Sequence, residues 1–260
     1  MQQQAILRTL GWVVIALGAA FATAVQAAAN VQSMRGNVQA GTQQVNPNDR
    51  ITSGATITTG PGSQAVLRFD DGQVVVLNEN TTFRIIDFRF RKEEPRNDRS
   101  VFDLLRGALR VVSGAVASRS QASFQLRVPQ ATIGIRGTDF MVAIVNPAIV
   151  SVGTGSVGVS NAGGTTVFGA GSFGSVASSS ALPVAIPASA VPSAASAAFS
   201  SMSAVPGVVA GGMAPGAGVS AAASSMSVPA AVLLGTAVAV GVAAAANGDN
   251  ATTTHHPATP

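Results

Sequence analysis

Between residues 31 and 176, apolar side chains recur at every second position, and glycines cut that alternation into short runs. Period two is the mark of a half-buried strand, and turns every eight to twelve residues or so join such strands into all-β domains. Ala65, Leu67 and Phe69 point one way while Val66, Arg68 and Asp70 point the other. Asp71-Gly72 then offers the positive φ of a tight hairpin, and 74–77 resumes the pattern. Over 84–91, Ile86, Phe88 and Phe90 alternate with Asp87, Arg89 and Arg91, but Phe83 and Ile85 are out of phase, which predicts a bulge near Ile85. Phe124, Leu126 and Val128 form a further strand, and Ala131, Ile133 and Ile135 the next one across Pro129. Beyond Phe140, separate strands are expected at 150–152, 157–159 and 166–168, built mainly from small or β-branched residues that stack well in coils. The expected fold class is all-β, a solenoid-like stack of short strands, with a rolled β-sandwich as the alternative. A low-complexity Ala/Ser/Gly/Val tail is expected to follow it.

Charge divides the chain in the same place. Every charged residue after position 27 except Asp249 lies between Arg35 and Asp139, and 140–248 contains no Lys, Arg, Asp or Glu. The expected organisation is a signal peptide at 1–27, a β domain at 28–176, a low-complexity linker at 177–227, an apolar segment at 228–246 and a polar end at 247–260. Arg8 precedes an apolar core at 12–22, and Val25-Gln26-Ala27 suits a signal peptidase, placing cleavage after Ala27. That core is about half the roughly twenty residues needed to span a bilayer. The expected location is therefore across the inner membrane, in the periplasm or outer envelope. Membrane association, if any, would run through 228–246, an Ala-rich stretch without flanking Lys or Arg; a disordered or self-associating tail is the favoured alternative.

The composition also excludes several functions. The pI of 11.2 reflects a net charge of +4 carried by Arg, with Lys92 the single lysine and no Cys or Tyr to titrate against it. Arginines alternate with acids and form no basic stripe with interleaved aromatics, so nucleic-acid binding is not expected. The only imidazoles, His255 and His256, sit near the end of the chain. The acid pairs Asp70-Asp71 and Glu93-Glu94 are adjacent in sequence, one at a hairpin tip and one in a charged loop. No catalytic residue, no metal site and no cofactor is expected.

Two motifs and one loop remain. Thr59-Gly60 and Gly62-Ser63 flank Pro61, where hydroxyls beside glycines tie down a tight turn, and Asp71-Gly72 closes the hairpin. A phosphate cradle would need a helix after the loop, whereas a strand is expected from Val66. In Arg136-Gly137-Thr138, followed by Asp139 and Phe140, the guanidinium is expected to pair internally with Asp103 or Asp139 in preference to a partner's carboxylate. Gly137, between two apolar strands, is expected to need a positive φ. The segment 91–99 reads as a solvated loop, and Arg91, Lys92, Glu93, Glu94, Arg96 and Arg99 are the first candidates for docking a charged partner.

The residues Asp49-Arg50-Ile51, Thr58-Thr59-Gly60-Pro61-Gly62-Ser63, Ala65-Val66-Leu67, Asp71-Gly72, Asn80-Thr81, Leu104, Gly107, Leu109, Val128-Pro129, Ala131, Ile135-Arg136-Gly137-Thr138 and Phe140 together resemble the FecR-type periplasmic domain. The resemblance covers about 31–145, with a continuation to 176. That family is named for membrane regulators that pass a transporter signal to a cytoplasmic sigma factor. The chain is expected to lack the anti-sigma segment ahead of the membrane step, so that signalling role is not carried over. What the resemblance implies is an exported, non-enzymatic β module, a binding or scaffold element whose partner is another envelope protein or a cell-wall component. The alternative is a surface or matrix structural protein assembling through its tail.

Overall fold

The structure, a computed structural model, describes residues 27–205 and 208. Its strands are β1 (Ala27–Arg35), β2 (Val38–Ala40), β3 (Gln43–Gln44), β4 (Arg50–Thr52), β5 (Thr56–Thr59), β6 (Gln64–Phe69), β7 (Val74–Leu77), β8 (Thr82–Arg89) and β9 (Arg99–Val112). Helix α1 (Ala115–Arg119) precedes β10 (Phe124–Val128), β11 (Ala131–Ile144), β12 (Ala148–Asn161), β13 (Gly164–Gly169), β14 (Phe173–Val176) and β15 (Val184–Ile186), and helix α2 (Ser193–Ser203) follows. Hydrogen-bonded neighbours run β15-β14-β12-β11-β10-β9-β7-β6-β1-β4, with β13 on β12 and a branch from β9 through β8, β5 and β2 to β3. β11 also pairs directly with β9, but the ends of the path, β15 and β4, do not pair with each other. The sheet is open, mostly antiparallel, and consistent with a solenoid-like stack of strands.

Three strands of 14 residues, β9, β11 and β12, serve two layers each. The first half of β9 pairs with β8 and β10, and its second half with β7 and β11. Each of the three carries a glycine of positive φ near its middle: Gly107 at 87°, Gly137 at 55° and Gly155 at 73°. Side chains rarely tolerate that conformation, so the long strands turn from one layer to the next at these points. Runs expected as separate strands at 150–152 and 157–159 are one strand, because Gly153 and Gly155 redirect β12 while its pairing with β11 continues on both sides, with a slip in register between Arg136 and Phe140.

The main core lies inside this wrap. Phe69 packs against Phe88 and Phe102, Phe102 also against Phe83 and Phe124, and Phe124 against Phe140, with centroids 5.0 to 6.4 Å apart. Tilted and edge-on pairs at such separations add to the burial term. The bulge expected near Ile85 falls one residue later: Ile85 opposes Phe102 and Asp87 opposes Val101, leaving Ile86 as the extra residue. That slip lets Phe83, Ile85 and Phe88 all enter the core.

A second apolar layer explains why β7 is buried on both faces. Val75 and Leu77 enter the main core, whereas Val74 and Val76 join Val66, Ala108, Val112, Ala143 and Ile149 beneath α2. From α2, Ala195, Phe199 and Met202 point down onto this face, at the i, i+4, i+7 spacing of one helix stripe. The low-complexity linker expected from residue 177 is thus, through Ser203, part of the folded body: β15 pairs with β14, and α2 covers the sheet. Small residues suffice there because the sheet beneath supplies most of the apolar surface. The expected leader at 1–27, apart from Ala27 at the start of β1, and the segments 228–246 and 247–260 lie outside the described residues. Neither helix among the described residues is long and apolar enough to cross a membrane.

Candidate functional site

The Thr59-to-Ser63 turn is a staple between three loops. The Asn37 N–H donates to Ser63 Oγ at 2.8 Å, the Gly60 N–H to the Asn37 carbonyl at 2.9 Å, and the Gly62 N–H to Glu79 at 2.6 Å. Thr59 Oγ1 accepts from the Thr81 N–H at 2.9 Å, and Thr81 Oγ1 in turn exchanges two 3.1 Å bonds with Ala108. Its amides are spent on the fold, and the chain runs from Ser63 into strand β6, so no phosphate cradle forms.

Asp71 does more than close the β6–β7 hairpin, whose Gly72 has φ of 86°. Its carboxylate accepts from the Gln73 N–H at 2.9 Å and the Val116 N–H at 3.1 Å, and its carbonyl accepts from Ala115 at 3.0 Å. The hairpin tip is thereby clamped to the start of α1. Burial pushes the carboxyl above the usual aspartate value, opposed by those amide bonds. Gly114 is needed at the joint, because a Cβ there would meet the Asp71 carboxylate and the Gln73 nitrogen.

The Arg136 motif departs from expectation. Asp139 pairs with Arg110 of β9, in a two-pronged bridge with Nε to Oδ1 at 2.9 Å and Nη2 to Oδ2 at 2.6 Å. Both side chains are about nine-tenths buried beneath α2. That hydrogen-bonded bridge raises the Arg110 pKa. Arg136 makes no ion pair among the described residues and is exposed. The internal pairing expected for it with Asp103 or Asp139 is overturned, since the bend at Gly137 sends Asp139 to the α2 side of the sheet and Arg136 to the open side. Thr138 and Phe140 are buried, Thr138 through reciprocal bonds of its backbone with Ser113 and Phe140 in the phenyl row. Gly137 has the positive φ expected, with open space where a Cβ would go.

The charged loop is partly tied down. The Arg91 N–H donates to Asp98 at 2.8 Å, Arg91 pairs with Glu94 at 2.9 Å, and Asp98, buried, pairs with Arg119 at 2.9 Å. Arg119 also stacks over Phe90, 5.0 Å from its centroid. Arg99 reaches Asp87 at 3.4 Å, beside the bond from Arg89 that holds the Asp87 carboxyl below its usual value. Lys92, Glu93 and Arg96 are left without an ion pair among the described residues. The alternation of β9 places Arg110 on the face opposite Leu109 and Val111, but it does not name Asp139. The i, i+4, i+7 spacing of Ala195, Phe199 and Met202 was the available signal for α2.

Among the described residues, no cluster of three or more His, Asp or Glu is placed to hold a metal ion. The three buried carboxylates, Asp71, Asp98 and Asp139, are each engaged by a backbone amide or an arginine of the fold. Residues 55–158 match the family model described as FecR protein. No curated protein matches the chain. Two crystal structures of a protein described as an anti-sigma factor, from Parabacteroides distasonis ATCC 8503, are similar at 19% and 21% identity, with TM-scores of 0.40 and 0.41. Each match covers 50% of this chain and 58% of that one, so this chain spans little more than half the length of those relatives.

Proposed function

We propose that this chain is a non-enzymatic, exported binding module of the cell envelope that engages another envelope protein through its open β-sheet. The observation that carries the reading is the FecR match over residues 55–158, which spans from β5 into β12 and so includes both motif turns. The engagement of Asp71, Asp98 and Asp139 by the fold supports it, because a catalytic acid or base must be free to exchange a proton with substrate. The sensing or scaffolding role, the envelope location and the docking candidates at 91–99 belong to the same proposal. Lys92, Glu93 and Arg96 are the loop positions with charge to spare.

Fractionation of cells producing the full chain tests this. The protein should be recovered from the envelope with Ala28 as its amino terminus, and crosslinking there should join it to a second envelope protein. Recovery in the cytosol with Met1 intact would refute the reading.

A further inference from the structure

We propose that the open sheet face around Arg136 docks an extended acidic segment of a protein partner, with a partner carboxylate on the Arg136 guanidinium and the partner backbone laid over Gly134 and Gly158. The inference rests on the binding-module reading and adds to it the place and the partner's chemistry. Two adjoining hollows, of about 450 and 310 Å³, meet at this point, and Gln121 and Arg136 line both. No carboxylate lines either one, whereas guanidinium groups of Arg136 and Arg119 do. Arg119 is already engaged by Asp98, and the acid three residues after Arg136, Asp139, is held by Arg110 on the other face. Asp103 of β9, in register with Arg84 of β8 and Arg127 of β10, lines neither hollow and forms no ion pair with Arg136. An uncompensated guanidinium beside an open hollow complements a carboxylate, which it can hold with two parallel N–H donors.

The floor of the larger hollow carries the second observation. Gly134 of β11 and Gly158 of β12 are cross-strand partners in mid-strand, where glycine weakens a sheet. Nothing local demands them. Neither has a positive φ, a Cβ on Gly134 would meet no atom within 4 Å, and one on Gly158 would touch only the Gly134 carbonyl at 3.9 Å. A strand glycine that neither backbone conformation nor packing requires marks close approach from outside. Thr132, Ser156 and Gln125 border this bare strip with hydroxyl and amide groups. A peptide fits better than a glycan, because Phe124, the one aromatic bordering the hollow, is 1% exposed and turned into the phenyl row, leaving no ring for a sugar to stack on.

The test uses the full chain and a fluorescent hexaglutamate peptide, with binding read by anisotropy at low and moderate salt. Binding should occur and weaken with salt, and Arg136→Gln should reduce affinity about tenfold to a hundredfold, the range for losing a charge-assisted contact. Gly134→Thr and Gly158→Val should lose binding while keeping or raising the melting temperature, an outcome that misfolding cannot produce. Arg35→Gln, at an exposed arginine of β1 that lines neither hollow, should bind as the unaltered chain does. Equal binding by Arg136→Gln, or an equal loss in Arg35→Gln, overturns the proposal, as does binding of oligogalacturonate but not of hexaglutamate. If hexaglutamate fails and the envelope crosslink persists in Arg136→Gln, this inference falls and the binding-module reading stands; loss of the crosslink in the unaltered chain ends both.

Discussion

Replacing Asp139 by alanine isolates the contact that most separates this structure from a reading of its motif. The change leaves the Arg110 guanidinium about nine-tenths buried beneath α2, with the Met202 carbonyl at 3.5 Å as its remaining acceptor. Removing one member of a buried, hydrogen-bonded pair costs about 3–5 kcal/mol, mostly because the other charge stays desolvated. At about 2–4 °C per kcal/mol for a folded body of this size, the melting temperature should fall by roughly 6–20 °C. Urea unfolding of the full chain gives the free energy, and a circular-dichroism melt gives the temperature. The double change Arg110→Met with Asp139→Leu should recover much of the loss, because no buried charge is left behind. Arg136→Gln, three residues before Asp139, should cost no more than about 0.5 kcal/mol, as for an exposed side chain without a partner. A loss below about 1 kcal/mol for Asp139→Ala, or a larger loss for Arg136→Gln, would refute the assignment of Arg110 as the partner.

Further expectations follow from the other elements. Asp71→Ala strands two buried amides, those of Gln73 and Val116, and should cost about 2–5 kcal/mol by urea unfolding. Carboxyl NMR titration should place Asp71 above the usual 3.8 and Asp87 below it. The stability tied to Asp71 is therefore full in acid and lost as pH rises through its folded value, whereas that tied to Asp87 is present above the unfolded value and lost as pH falls through the folded one. Gly137→Ala should cost about 1–2 kcal/mol for its left-handed conformation alone, and Gly155→Ala more, since a Cβ there would also strike the Gly137 carbonyl. Cutting the chain after Val176 should lower the melting temperature and promote aggregation by baring the face under α2; Phe199→Ala should show a smaller loss, capped by the docking energy of the helix, and an unchanged melt of the truncated chain would place the boundary back at Val176.

Strand positions were legible wherever one face is buried and the other wet. Leu67 and Phe69, Leu126, Ile133 and Ile135 enter the core as their alternation requires, and Asp71-Gly72 closes its hairpin, because both signals are local properties of the backbone. Legibility failed where a second layer intervened. In 74–77 four consecutive apolar residues meant burial on both faces, and nothing in the neighbouring strands says that the cover comes from 193–203, more than a hundred residues away. Of the candidate site residues, the Thr59-to-Ser63 group proved to hold loops together, while Arg136 was readable as a cation but not as an unpaired one.

The chain's own sequence determined an all-β body with glycine-bent strands and the separation of its charged part from its uncharged part. These depend on side-chain period, residue type and backbone conformation, all written locally. Only the tertiary structure decided that Asp139 belongs to Arg110, that Asp71 clamps α1, that Asp98 belongs to Arg119, and that an Ala/Ser segment becomes the cover of a sheet face. Alternation states which face a side chain occupies but not which strand lies beside it; the partner is set by register and by the turns at Gly107, Gly137 and Gly155, which bring together residues far apart in the chain.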